Sequence, residues 1–178
     1  VDSKTRQTPH FRYAQIIMGK EGPNFPGVVE ARRLIYVCEA IQLLKKINGI
    51  STSDYQKTVS WFSKLLQWFE TSDQAQKAQS AKNNIGFWTD LQRLIYARFC
   101  GDNELAKKIV RTSVIPRINL QVESDGRLLS ELTRAKPYDY IAFTLLAMAG
   151  LSAASEHNEL KLAEYPIKEG RAFQNAFK

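Results

Sequence analysis

A gap of four residues constrains the fold of this chain more than any other feature. From Val28 to Asn48, apolar residues recur at helical spacing, at Val29, Leu34, Tyr36, Val37, Cys38, Ile41, Leu44 and Ile47, and Gly49 supplies the stop. Ser53, followed three residues later by Gln56, reads as a capping box that opens a second helix with the stripe Tyr55, Val59, Phe62, Leu65, Leu66 and Phe69. Only Gly49 to Thr52 joins the two, which is too short for anything but an antiparallel helical hairpin. The aromatic stripe reads as core rather than as a stacking platform, and Trp61 and Trp68, seven residues apart, join it.

The pattern then repeats. "GFWTDLQRLIYARFC" reads as a helix that Gly101 ends, Asp102 caps the next, and "NELAKKIVRTSVIPRI" continues until Pro116 interferes. Alternation at Ile118, Leu120 and Val122, followed by the turn dipeptide Asp125-Gly126, predicts a strand-like excursion or ordered loop. "YDYIAFTLLAMAGLSAASE" is rich in small residues and apolar nearly all round, which predicts a buried helix, and the last twenty residues read as loop with a short helix. The fold class is therefore all-α, stacked antiparallel helical hairpins within one domain over residues 1–178.

Composition narrows the partners. A formal charge of +7 favours polyanions, yet the basic residues come in pairs such as Arg32-Arg33 and Lys107-Lys108, without a block of five or more. A basic helical nucleic-acid module is accordingly the weakest functional reading. No apolar run approaches the roughly 20 residues that cross a bilayer, which reads as a soluble chain without a membrane partner. The start at Val1 fits a processed polypeptide. Cys38 and Cys100 lack metal-ligand spacing, and with only His10 and His157 to assist, neither a metal nor another cofactor is expected. The two cysteines form a disulfide only if the fold joins their helices. Both sit in apolar stripes, which reads as buried free thiols.

One detail resists a purely structural reading. In "AKNNIGFWTDLQ" two asparagines precede a helix where one suffices as a cap. Asn83, Asn84, Gly86, Trp88, Asp90 and Gln92, read with Gln121, Asp125, Gly126, Glu131, Leu132, Arg134, Lys136 and Tyr140, resemble the two paired signatures of the alginate lyase family of polysaccharide lyases. "YAQ" at Tyr13 to Gln15 and "VVEARRLI" at residues 28–35, with Arg32 at the family's arginine, extend the resemblance over about residues 13–156 and leave 157–178 as a polar tail. Family members carry roughly another hundred residues ahead of this stretch, so the chain resembles the larger part of an (α/α) toroid lacking its first hairpins: a cleaved product, one chain of a two-chain assembly or a lineage with a shortened barrel, whose exposed apolar edges would favour a second chain or an oligomer.

The resemblance implies an anionic polysaccharide partner, a secreted or periplasmic location, and β-elimination. Removing the proton beside a uronate carboxylate requires that carboxylate's charge to be neutralised as the carbanion develops. By resemblance Asn84 and Arg134 do this, and Tyr140 serves as base, acid or both. A phenol acts as a base near neutral pH only beside positive charge, which Arg134 and Lys136 supply. Arg32, Trp88, Gln92, Lys136 and Tyr138 are the expected substrate-binding residues, and Glu131 is expected to orient Arg134. The family's histidine, directly after the second asparagine, is Ile85 here, and isoleucine neither donates a hydrogen bond nor accepts a proton. Two readings follow: a lyase working without that histidine, or a non-catalytic carbohydrate-binding or structural relative that keeps the cleft.

Overall fold

The computed structural model describes residues 24–156 without a break, together with residues 9–11, 14–15, 17–19, 21–22, 162 and 176–177. Tyr13, His157 and the expected loop and short helix of the tail lie outside the described residues. A 3₁₀ segment, Phe25–Arg33, leads into α1 (Leu34–Lys46), followed by α2 (Thr52–Thr71), α3 (Asp73–Gln79), α4 (Asn84–Phe99), α5 (Asn103–Ile109), α6 (Ile115–Gln121), α7 (Leu129–Leu132) and α8 (Pro137–Glu156). No strand occurs among the described residues, and the chain is all-α.

The sequence rules hold at most helix ends and fail where packing overrides them. Asp102 caps α5, as expected, by accepting the Leu105 N–H. The cap of α2 is Ser51 rather than Ser53: its hydroxyl accepts the Asp54 N–H at 3.0 Å and donates to the Asp54 carboxylate at 2.8 Å. That placement puts an acidic side chain in the first turn, where the helix dipole favours it. The expected helix from Val28 is 3₁₀ until Arg33. Winding with a period of three stacks Val28 and Ala31 on one buried face, while Gly27 passes against the Ala14 carbonyl with no room for a side chain.

Pro116 does not end its helix, and residues 118–121 are helical rather than extended. A π turn, Val110–Val114, widens the backbone just before Pro116, which then falls in the first turn of α6, where a missing N–H costs nothing. Burial of Ile118 at helical register overrides the alternation seen in sequence. The expected turn at Asp125-Gly126 is present. Gly126 has φ +89°, and Asp125 accepts the Arg127 N–H at 3.1 Å.

α4 is the hub. Thirteen of its sixteen residues are buried, and it packs against the 3₁₀ segment, α1, α2, α3, α5 and α8. The aromatic stripe of α2 enters the core as predicted, with Phe62 5.3 Å from Tyr96 and 5.0 Å from Phe99. Each such fully buried ring contributes about 1.5–3 kcal/mol. α8 departs from expectation, because only one face is buried. Thr144, Ala147, Met148, Leu151, Ala154 and Ser155 face inward, whereas Leu146 is 58% exposed. The helix packs against α4 and α7.

Both cysteines are free thiols. Burial pushes Cys38 far above the ordinary thiol range. Burial and then the neighbouring Asp102 charge push Cys100 up to about 11. Since the thiolate is the reactive species, iodoacetamide at pH 8 is expected to alkylate Cys100 about a hundredfold more slowly in the folded chain than in urea, and Cys38 more slowly still. Equal rates in both conditions, read by mass spectrometry, would contradict this burial.

Candidate active site

The approach to α4 is fixed first by a buried charge network. Asp90, fully buried, accepts the Arg117 Nε–H at 2.7 Å and pairs with Arg93 at 3.5 Å. Burial pushes the Asp90 carboxyl up, against the opposing pull of Arg117 and then Arg93. Arg93 in turn makes a two-pronged pair with Glu70. The two terminal nitrogens of Arg117 donate to the Ala81 carbonyl at 2.6 Å and to the Gln79 carbonyl. The guanidinium thus clamps the loop before α4 onto α4 itself. It passes directly over Gly86, where any side chain would overlap both it and the Ala81 carbonyl.

The clamp delivers the asparagine pair to its place, and the two amides divide the work. Asn83 is the cap, its side-chain oxygen accepting the Ile85 N–H at 3.1 Å. Asn84 is buried and turned to Glu131, donating its amide N–H₂ to the two carboxylate oxygens at 3.2 and 3.1 Å and its backbone N–H to one of them. A carboxylate only accepts, so this contact fixes which way the amide points. Thr144 adds a further donor at 3.3 Å. Glu131 is 1% exposed, and it is tolerated there because it sits at the positive end of α4 with each oxygen supplied with donors. The carboxylate therefore orients Asn84, not Arg134 as expected. Arg134 meets Glu131 only through the backbone.

Thr144 links this cluster to the next residue of interest, since its hydroxyl also bonds the Tyr140 carbonyl at 2.8 Å. The Arg134 guanidinium lies 4.1 Å over the Tyr140 ring. Arg32 lies 5.3 Å from the ring of Phe143, one turn along α8, and Phe143 packs on Trp88 at 4.9 Å. Asn84, Arg134, Tyr140 and Arg32 thus form one chain of contacts around the N-terminal turns of α4 and α8. Lys136 and Tyr138 stand exposed at its edge, Tyr138 87% so.

Two expected substrate-binding residues are placed elsewhere. Trp88 is 5% exposed, and its indole N–H is spent on the Phe143 carbonyl at 3.1 Å. Gln92 is fully buried, donating to the Trp88 carbonyl and accepting from the Tyr96 hydroxyl. Neither has the free face or polar group that a sugar needs; both build the wall behind the site. Ile85 packs partly into the core. Sequence reasoning missed Thr144 and Arg117, the latter because its partners lie 27, 36 and 38 residues away; the single local trace of Arg117 is Gly86, a helical glycine with no local need to be one. No cluster of metal-ligating side chains occurs among the described residues.

The alginate lyase family model matches residues 1–178. Among solved structures the chain is similar to an alginate lyase from Bacteroides ovatus, with a TM-score of 0.92 and 28% identity over 98% of this chain and 47% of that one. The chain thus spans about half the length of that relative. No curated protein sequence matches it.

Two substitutions test the cluster. Gly86→Ala should displace the Arg117 guanidinium and cost about 3 kcal/mol by urea denaturation, because the carbonyl beside it cannot swing away. Glu131→Gln should cost about 1–3 kcal/mol, since it sets one amide N–H₂ against another, and should cost more than Thr144→Val. A Glu131→Gln chain as stable as the parent would sink the assignment of Glu131 as the acceptor that holds Asn84.

Proposed function

The chain belongs to the alginate lyase family, and from that premise we propose that it binds a uronate-containing acidic polysaccharide at the N-terminal ends of α4 and α8 and cleaves it by β-elimination. The observation that carries this reading is the stacking of Arg134 on Tyr140, 4.1 Å apart, next to an amide whose orientation a buried carboxylate dictates. A phenol, a guanidinium and a fixed amide are the three groups that the chemistry needs, and Glu131 and Thr144 link the buried amide to the tyrosine.

The steps follow from those groups. Arg134 neutralises the substrate carboxylate, and the Asn84 amide, its N–H₂ engaged by Glu131, contributes as a buried, oriented dipole. Tyr140, as phenolate, takes the proton from the carbon bearing that carboxylate. The electron pair forms the carbon–carbon double bond as the bond to the glycosidic oxygen breaks, and the tyrosine returns its proton to the departing oxygen. Arg32, Lys136 and Tyr138 bind neighbouring sugar units along the rim. A polymeric uronate substrate places the protein outside the cytoplasm, secreted or periplasmic. No helix among the described residues is long and apolar enough to cross a membrane.

A second reading rests on Ile85. With an aliphatic side chain in the histidine position, the chain would be a carbohydrate-binding relative in which the cleft outlasts the chemistry. Ultraviolet absorbance during incubation with a panel of polyuronates separates the two, because elimination leaves a conjugated unsaturated uronate. The expected outcome is a rising signal on one polymer, abolished by Tyr140→Phe with binding retained within about threefold, and increased by Ile85→His. A flat trace with intact glycan binding supports the second reading instead.

A further inference from the structure

The segment ahead of the 3₁₀ turn is pinned beside Arg32 by contacts that the candidate active site does not use. Gln74, 7% exposed, donates its amide N–H₂ to the Phe11 carbonyl at 3.1 Å and to the Asn24 carbonyl at 2.8 Å. Ala14 lies against Gly27, where only a glycine fits. Between these anchors Gln15 has φ +54°, one of two non-glycine residues with positive φ among the described residues. A glutamine in the left-handed region is strained, and such strain persists only where surrounding contacts hold it. Here its Nε2 donates to Glu30 Oε1 at 2.7 Å.

Glu30 stands on the 3₁₀ segment two residues before Arg32, and its other oxygen pairs with Arg32 at 3.6 Å. Arg32 also donates to the Val29 carbonyl at 3.2 Å and lies over the Phe143 ring. The result is a row of Gln15, Glu30 and Arg32 in which the charges of the last two cancel. Around Tyr140 the balance is different, because neither Arg134 nor Lys136 pairs with a carboxylate among the described residues. Phe143 follows Tyr140 by three residues, which makes the two rings neighbours on α8, about 5–6 Å apart at their Cβ atoms. That step is comparable with one sugar unit. The row is also distinct from the groove of about 790 Å³ between α1 and α8, whose lining contains none of its three residues.

We infer that Gln15, Glu30 and Arg32 form the subsite for the sugar unit next to the reacting one, and that they take its ring hydroxyls rather than its carboxylate. The inference rests on the reading of Arg134 and Tyr140 as the reacting centre. A hydroxyl both donates and accepts, so it donates to Glu30 while accepting from Arg32. A carboxylate and a guanidinium each have more hydrogen-bonding sites than these contacts occupy, which leaves both partners capacity for it. A sugar carboxylate only accepts, and at this place it would gain Arg32 but face Glu30, a like charge 3.6 Å from that same guanidinium. Glu30 is thus the specificity-determining residue. It directs the one carboxylate that reacts to the unpaired cations near Tyr140 and gives the neighbouring unit an acceptor. The two sequence motifs that the proposed chemistry leaves unused, "YAQ" and "VVEARRLI", meet in this row.

The kinetics of Glu30→Gln test this through a sign. The substitution keeps the length of the side chain and an acceptor for Gln15 but removes the charge. A hydroxyl subsite then loses a charge-assisted bond, so KM on the polyuronate that the parent cleaves best should rise about tenfold, with kcat held within about twofold. A carboxylate subsite would instead gain from the freed Arg32, and KM would fall. Gln15→Ala, which leaves the charge and removes only its support, should raise KM about threefold. Both side chains are exposed, so neither change disturbs the core. For a parent that binds without turnover, the dissociation constant measured by calorimetry at fixed ionic strength carries the same sign. A fall or no change with Glu30→Gln would overturn the inference while Tyr140-dependent elimination stands. A parent that neither cleaves nor binds any polyuronate would overturn the proposed function, and this inference with it.

Discussion

Arg117 sends one guanidinium to three destinations: Asp90 inside α4, and the carbonyls of Ala81 and Gln79 in the loop before it. A buried charge of this kind is stable when it is paired and hydrogen-bonded, and here each guanidinium nitrogen has an acceptor. The consequence is geometric. The loop cannot leave α4, so Asn83 and Asn84 arrive at the helix start in a single arrangement. The same crossing explains why a glycine stands at position 86 in a helix that otherwise buries large side chains. Asp90, whose aspartate is part of the family signature, thus holds structure rather than substrate.

The same logic of satisfied acceptors governs the next layer. Glu131 is a carboxylate with almost no exposure, and it gathers donors from α4 and α8 at once. This makes α7, only four residues long, a bracket between the two helices that bear the candidate chemistry. The arginines then take positions above aromatic rings on α8, Arg134 over Tyr140 and Arg32 over Phe143. Positive charge is thus held at the ends of α4 and α8 where their dipoles are positive as well. An anionic ligand is the natural complement of such a surface.

The molecule has a polar end and an apolar groove, and the division is physically consistent. Charged groups cluster where helix termini supply unpaired N–H groups, whereas the faces along the helix lengths carry alanine, leucine and tyrosine. The large groove lies along these apolar lengths and the candidate chemistry at their N-terminal ends.

Local rules made the helices legible in the sequence. Periodicity identified α2, α4 and α8, Gly101 and Asp102 marked a real boundary, and the doubled asparagine separated into a cap, Asn83, and a buried amide turned to Glu131, Asn84. Motif spacing also brought Asn84, Arg134 and Tyr140 forward. What the sequence could not carry was direction in space. Trp88 and Gln92 stand in the signature like Asn84, yet α4 is buried nearly all round, so signature membership does not say which side chains reach solvent. Pro116 looked like a stop because the π turn that accommodates it depends on packing around α5 and α6. The order of helices and the residue types of the site were determined by the chain itself, because hydrogen-bond and apolar spacing act within a few residues. The tertiary structure alone decided which carboxylate holds which partner, Asp90 with Arg117 and Glu131 with Asn84, because buried charges are satisfied by neighbours in space, 27 and 47 residues away along the chain.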